Sequence, residues 1–98
     1  MQSDGGAINF NGPVTASGTP TTDAGAGAIN FNAVVTGAAT ISLQDNTAAS
    51  GTVTFNNNVT LDGLTTFAQP YAIIMNGSSN TFANSITFNN TSTLGLGD

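Results

Sequence analysis

The sequence of 98 residues contains no lysine, arginine, histidine or cysteine. A chain without basic side chains gains nothing from counterion release around nucleic acid, so DNA and RNA are excluded as partners. The missing histidine and cysteine remove the usual ligands of zinc, copper, haem and iron–sulfur clusters, together with thiol and Ser-His-Asp catalysis. We therefore predict a protein that is not an enzyme and that binds no metal or cofactor.

Charge of either sign is scarce. The five charged groups are all aspartates, and charged residues make up 5% of the chain, where soluble domains usually carry about 25%. Thr, Ser, Asn and Gly must cover the surface instead, and such surfaces repel their own copies only weakly. The lysines that commonly block strand addition at sheet edges are absent. The longest apolar run, at residues 71–75, is too short to cross a bilayer, so no membrane insertion is predicted.

A ten-residue block with the consensus small-small-Ile/Val-polar-Phe-Asn-x-x-Val-Thr recurs, with copies that start at residues 6, 27, 51 and 84. Apolar and polar residues alternate in it as in a half-buried β-strand. A period of 21 to 24 residues fits one coil of a parallel β-helix, in which each repeat position meets the same environment in every turn. We predict an all-β protein with a single domain over residues 1–98, a β-solenoid of about four coils. A β-sandwich is the alternative fold.

The repeat predicts columns of like residues along the solenoid. Aliphatic and aromatic positions are expected to stack in the interior, and the asparagine after each phenylalanine is expected to bond its own copy at a corner. The predicted stacked core consists of Ile8, Phe10, Val14, Ile29, Phe31, Val35, Val53, Phe55, Val59, Ile86 and Phe88. The predicted corner ladder consists of Asn11, Asn32, Asn56 and Asn89.

The last interval, of 33 residues, is longer than one coil. A loop of about ten extra residues, near residues 69–70 or 76–80, would restore the period of the solenoid. A divergent coil centred on residues 71–75 is the other explanation. We favour the loop, because the remaining residues are few for two full coils.

The block Gly-Ala-Ile-Asn-Phe-Asn-x-x-Val-Thr, followed by the strand pattern of residues 37–43, resembles the repeats of large bacterial exoproteins of the filamentous haemagglutinin and autotransporter type. The resemblance covers nearly the whole chain. It implies a right-handed parallel β-helix, secretion to the cell surface, and a role in adhesion, matrix or filament formation.

Function is expected at the ends of the solenoid, where backbone groups and apolar columns are uncovered unless a cap closes them. Neither residues 1–5 nor residues 94–98 resemble a cap, and the first and last blocks share one motif, so the top of one molecule is expected to match the bottom of the next. A head-to-tail contact that does not close generates a fibre. We expect a structural subunit of an extracellular or cell-surface filament whose partner is a second copy of itself.

The alternative function is that of an adhesin passenger segment, which binds glycans or surfaces through an exposed loop at residues 69–80. Two further surfaces carry less weight. The turns at Asp4, Asp45 and Asp62 lack the spacing of known calcium loops, so turn formation is favoured over Ca²⁺ binding. An ice-binding lattice would need Thr-x-Thr on every coil, and the first two blocks have Ala and Asn at those positions.

Overall fold

The computed structural model describes residues 6–18, 20–22, 27–43 and 50–96, and these residues form short β-strands without any helix. Each of the first three coils contributes three strands, as alternation of apolar and polar residues predicts. The strands are β1 (Ile8–Phe10), β2 (Val14–Thr15), β3 (Thr21–Thr22), β4 (Ile29–Phe31), β5 (Val35–Thr36), β6 (Thr40–Leu43), β7 (Thr52–Phe55), β8 (Val59–Leu61), β9 (Gly63–Thr66), β10 (Ala72–Met75), β11 (Thr81–Phe82) and β12 (Leu94–Leu96).

These strands form three parallel sheets. Sheet 1 has the order β1-β4-β7-β10-β12, sheet 2 the order β2-β5-β8-β11, and sheet 3 the order β3-β6-β9. The chain therefore visits the three sheets in turn and returns to the first sheet one layer further along. This is a β-solenoid of about four turns, which confirms the predicted fold class. The right-handed winding implied by the resemblance stays a prediction.

Register in sheet 1 places Ile8, Ile29, Val53, Ile73 and Leu94 opposite one another, so successive coils are 21, 24, 20 and 21 residues long. Sheet 2 stacks Val14, Val35 and Val59 in the same way, as predicted. Coils of similar length, with the differences taken up between strands, bring each strand back to its own position, which lets backbone groups pair from layer to layer.

The interior is filled by the inward-facing residue of every pair. In β7, Val53 and Phe55 are fully buried, whereas Thr52 and Thr54 face outward. The rings of Phe10 and Phe31 are parallel with centroids 4.8 Å apart, and Phe31 and Phe55 repeat the arrangement at 4.6 Å. These distances equal the layer spacing of about 4.8 Å. Stacking of like side chains is thus the geometry of the core, and this part of the prediction is confirmed.

The predicted position of the fourth block is wrong. The strand that follows β7 in sheet 1 is β10, so Val53 pairs with Ile73 and Phe55 pairs with Met75 rather than with Ile86 and Phe88. Residues 71–75 are the divergent coil, and no extra loop is present there. The cause is burial: a loop would leave the buried side chains of Tyr71, Ile73 and Met75 in water, at a cost of about 1.5–3 kcal/mol each.

The block that begins at residue 84 continues the fourth coil across sheet 3 without forming a strand. The hydroxyl of Thr66, at the end of β9, donates to the carbonyl of Thr87 and accepts from the backbone N–H of Asn89. Ile86 and Phe88 are partly buried and pack against the core from this side. Period-2 alternation still turns them inward, but against a different sheet from the one predicted.

Tyr71 is the largest fully buried side chain of the described residues. Its hydroxyl donates to the carbonyl of Leu43 at 2.9 Å and accepts from the N–H of Phe67 at 3.0 Å. Buried phenol groups need such partners, because an unpaired hydroxyl in the core is costly. Tyr71 therefore ties the fourth coil to the ends of β6 and β9.

Gly37 is a position where two coils approach closely. Its φ is +143°, and a Cβ atom built there would overlap the carbonyl oxygen of Ala16. Only glycine avoids both the backbone strain and the overlap. By contrast, a Cβ atom on Gly12 would meet no atom within 4 Å.

We predict that Gly37→Ala lowers the free energy of unfolding by about 2–4 kcal/mol, because the new methyl group separates the first two coils. Urea unfolding followed by circular dichroism measures the change. Gly12→Ala is the matched control and is expected to change stability by less than about 0.5 kcal/mol. Equal effects of the two substitutions would contradict the close approach at Gly37.

Candidate interaction site: the end faces of the solenoid

A ladder of asparagine side chains runs along one corner of the solenoid. The amide nitrogen of Asn32 donates to Asn11 at 2.9 Å, that of Asn56 to Asn32 at 2.8 Å, and that of Asn76 to Asn56 at 3.0 Å. The predicted ladder is confirmed for its first three members. Its fourth member is Asn76 and not Asn89, whose amide nitrogen donates instead to the carbonyl of Thr66.

The outer face of sheet 2 carries a column of exposed threonines that the sequence interpretation missed. Register places Thr15, Thr36, Thr60 and Thr81 one above another. All four are exposed. The repeat block contains the first three at its last position, so the signal was present in the sequence; the fourth lies outside any block.

The first coil leaves the core uncovered on one side, and a hollow of about 330 Å³ opens there. Val14, Ala16 and Pro20 line it, and Phe31 and Ile41 of the second coil also contribute to its wall. We call this surface the N-terminal hollow. Its lining is largely apolar because the columns of sheets 1 and 2 end here: Phe10 and Val14 are only half-buried, whereas their counterparts in the next two coils are fully buried.

The opposite end of the described chain has a different shape. Phe82, Ile86 and Phe88 pack against the core but remain partly exposed. Leu94, on β12, is 38% exposed and is the one large hydrophobic side chain classed as exposed in the described part of the chain. β12 belongs to the fifth layer of sheet 1, a layer to which sheets 2 and 3 contribute no described strand. We call Leu94 with the three partly exposed residues the C-terminal step.

Two buried side-chain polar atoms of the described residues have no hydrogen-bond partner, and each lies in an end coil. They are the hydroxyl of Thr22, in β3 beside the N-terminal hollow, and the amide oxygen of Asn90, beyond Phe88. Thr66 occupies the same column as Thr22 two coils further on, and its hydroxyl is satisfied by backbone groups of the next layer. The same column thus holds a threonine hydroxyl that is satisfied in the third coil and one that is unpaired in the first.

The loop expected to hold a ligand at residues 69–80 is not an exposed loop. Tyr71, Ile73 and Met75 are buried there, and residues 72–75 form β10. The predicted turns at Asp4 and Asp45 lie outside the described residues. Asp62 forms part of the corner between β8 and β9, where its N–H donates to the carbonyl of Ala39.

Over residues 6–18, 20–22, 27–43 and 50–96, no group of three His, Cys, Asp or Glu side chains is arranged to hold a metal ion. Within the same residues, no helix is long and apolar enough to span a membrane. Comparisons with protein-family models, with curated proteins and with solved structures give no match to this chain. The candidate sites are therefore the surfaces described above, and the end faces are the ones whose packing and hydrogen bonding are incomplete.

We predict opposite effects of removing the two threonine hydroxyls. Thr22→Val is expected to raise the free energy of unfolding by about 1 kcal/mol, because it removes an unpaired buried hydroxyl. Thr66→Val is expected to lower it by about 1–3 kcal/mol, because two backbone groups lose their partner. Urea titrations of both variants provide the comparison, and destabilisation by Thr22→Val would show that its hydroxyl is satisfied.

We predict that the loss of stability caused by substituting an asparagine of the ladder scales with the number of hydrogen bonds lost. Asn32 takes part in two ladder bonds and Asn11 in one. Asn32→Ala is expected to lower stability by about 1–2 kcal/mol, and Asn11→Ala by about half as much. Thermal unfolding of the two variants measures the ratio, and no effect at Asn32 would mean that water replaces the ladder fully.

Proposed function

We propose that this protein is a structural subunit that stacks end to end through its open solenoid faces and so forms a filament. The observation that carries the proposal is the incompleteness of both end faces. In the described residues, apolar columns come to the surface at the ends, and the two buried polar atoms without a partner lie in the end coils. A further layer on either face would bury the exposed apolar groups.

The edges of the sheets support the same proposal. Among the described residues, β1, β2 and β3 each have a strand partner on one side only, so their other edges have backbone N–H and C=O groups to offer for strand addition. No lysine is present to block such an edge, and charge of either sign is sparse. Five negative charges per chain give a repulsion between copies that physiological salt screens beyond about 8 Å.

The two ends do not present the same motif in the same sheet, because the block at residue 84 does not occupy sheet 1. The resemblance to exoprotein repeats supports an extracellular or cell-surface location for the filament. An adhesin passenger segment is the alternative function; its ligand surface would be an outer face such as the threonine column, or the exposed side chains of Asn76, Ser78 and Ser79 in the last part of the predicted loop.

We expect the purified 98-residue chain to form filaments above a threshold concentration, with assembly strengthened by salt. Size-exclusion chromatography and negative-stain imaging detect the filaments, and fibre diffraction of aligned samples should give a reflection near 4.8 Å along the filament axis. A chain that stays monomeric at high concentration in physiological salt would refute the proposal and favour the passenger segment.

Amyloid gives the same reflection, so the test needs a control that separates misfolded from native stacking. Gly37→Ala destabilises the native solenoid and provides it. If filaments consist of native subunits, this variant yields fewer of them. If they consist of refolded chains, the variant yields more, because a destabilised fold exposes its strands more often.

A further inference from the structure

We propose that the contact between copies is head-to-tail: the C-terminal step of one copy enters the N-terminal hollow of the next. This inference rests on the proposed function and specifies which surfaces meet. It requires that the hollow and the step differ in shape, that neither surface fits its own copy, and that a second copy, rather than another ligand, is the occupant.

Side-chain size along sheet 2 makes the two ends different. The position after the threonine column is occupied by Ala16, Gly37, Leu61 and Phe82 in successive coils. Ala16 leaves space in the interior at the first end, and the large side chains of Leu61 and Phe82 fill it towards the other end. The first end is therefore concave, whereas the last end is filled by side chains, so the two ends are complementary in shape.

The number of layers in each sheet makes the same distinction. Sheets 1, 2 and 3 hold five, four and three strands, so β12 stands one layer above its neighbours at the C-terminal end. The N-terminal hollow is lined by residues 14–17 and 20–22 and also by Phe10 and Phe31 of sheet 1, so all three sheets contribute to its wall. Two hollows facing each other leave the apolar residues in a void, and two steps facing each other collide. One hollow facing one step buries Leu94 and fills the hollow.

A second copy is the occupant that continues the packing already present within the chain. Every layer of this solenoid covers its neighbour through parallel strands in register, with apolar side chains between them. The one carboxylate side chain of the described residues, that of Asp62, lies in the third coil.

Two lysine substitutions test whether the contact is head-to-tail. Val14→Lys places a charge in the hollow, and Leu94→Lys places the same charge on the step. We expect each variant alone to be monomeric, with a threshold for assembly raised more than about tenfold, because an unpaired charge is costly to bury. Mixed in equal amounts, the two variants should form dimers and stop there, since each retains one intact face. Thr60→Lys, which adds the same charge on the outer face of sheet 2, should assemble as the unchanged chain does.

The outcomes separate this inference from the proposed function. If the unchanged chain assembles but Leu94→Lys alone still forms dimers, hollows pair with hollows and the inference is wrong while the filament stands. If Val14→Lys alone forms dimers, steps pair with steps, with the same consequence. If the unchanged chain does not assemble at any concentration, both proposals fail together.

Cysteine cross-linking gives an answer that does not depend on the folding of a lysine variant, because the chain has no cysteine of its own. Ser17→Cys places a thiol at the rim of the hollow, and Leu94→Cys places one on the step. The two variants are mixed under a mild oxidant that takes up the two electrons and two protons of the thiols. We expect the disulfide between a Ser17→Cys copy and a Leu94→Cys copy to form at least about tenfold faster than the disulfide between two copies of the same variant. Thr60→Cys mixed with either variant is the control, and equal rates for all pairs would overturn the inference.

Discussion

In the paired strands of the described residues, each side chain meets, one coil away, the side chain at the same register position. Parallel strands about 4.8 Å apart impose this constraint, and the rest of the structure depends on it. Phenylalanine rings stack at that distance, and asparagine amides bond their own kind at 2.8–3.0 Å. Residues that can satisfy a copy of themselves are favoured at every such position.

The same constraint explains a composition that is poor in charge. A lysine or glutamate repeated at one position would place like charges directly opposite each other in adjacent strands, which destabilises a sheet. Asparagine and threonine have both donor and acceptor groups and avoid this repulsion. Asp62 is compatible with the fold because it occurs in a single coil, next to Ala39 at a corner. A site that needs a cationic side chain at a repeated position is not compatible with such columns.

The sequence predicts the first three coils because their blocks agree in spacing and in residue type at once. It fails at the fourth coil because these two signals disagree. Residues 84–93 carry the motif at the wrong distance, whereas residues 71–75 stand at the right distance with Tyr71, Ile73 and Met75 in place of the motif. Burial depends on where the chain arrives after one turn, and hydrophobic side chains of several shapes can fill an interior. Spacing therefore outweighs likeness once the columns are established.

What the sequence alone does not predict is the difference between the two ends. The repeated motif treats every coil as equivalent, but the end coils differ in the residues that depart from it: one column has Ala16 in the first coil and Phe82 in the fourth. An interior coil is covered by a neighbouring coil on both sides, so substitutions in it affect stability alone. An end coil is covered on one side, and the residues in it that depart from the repeat determine what can bind to its other side. For a protein with few reactive side chains, we infer that specificity resides in these departures rather than in the repeated motif.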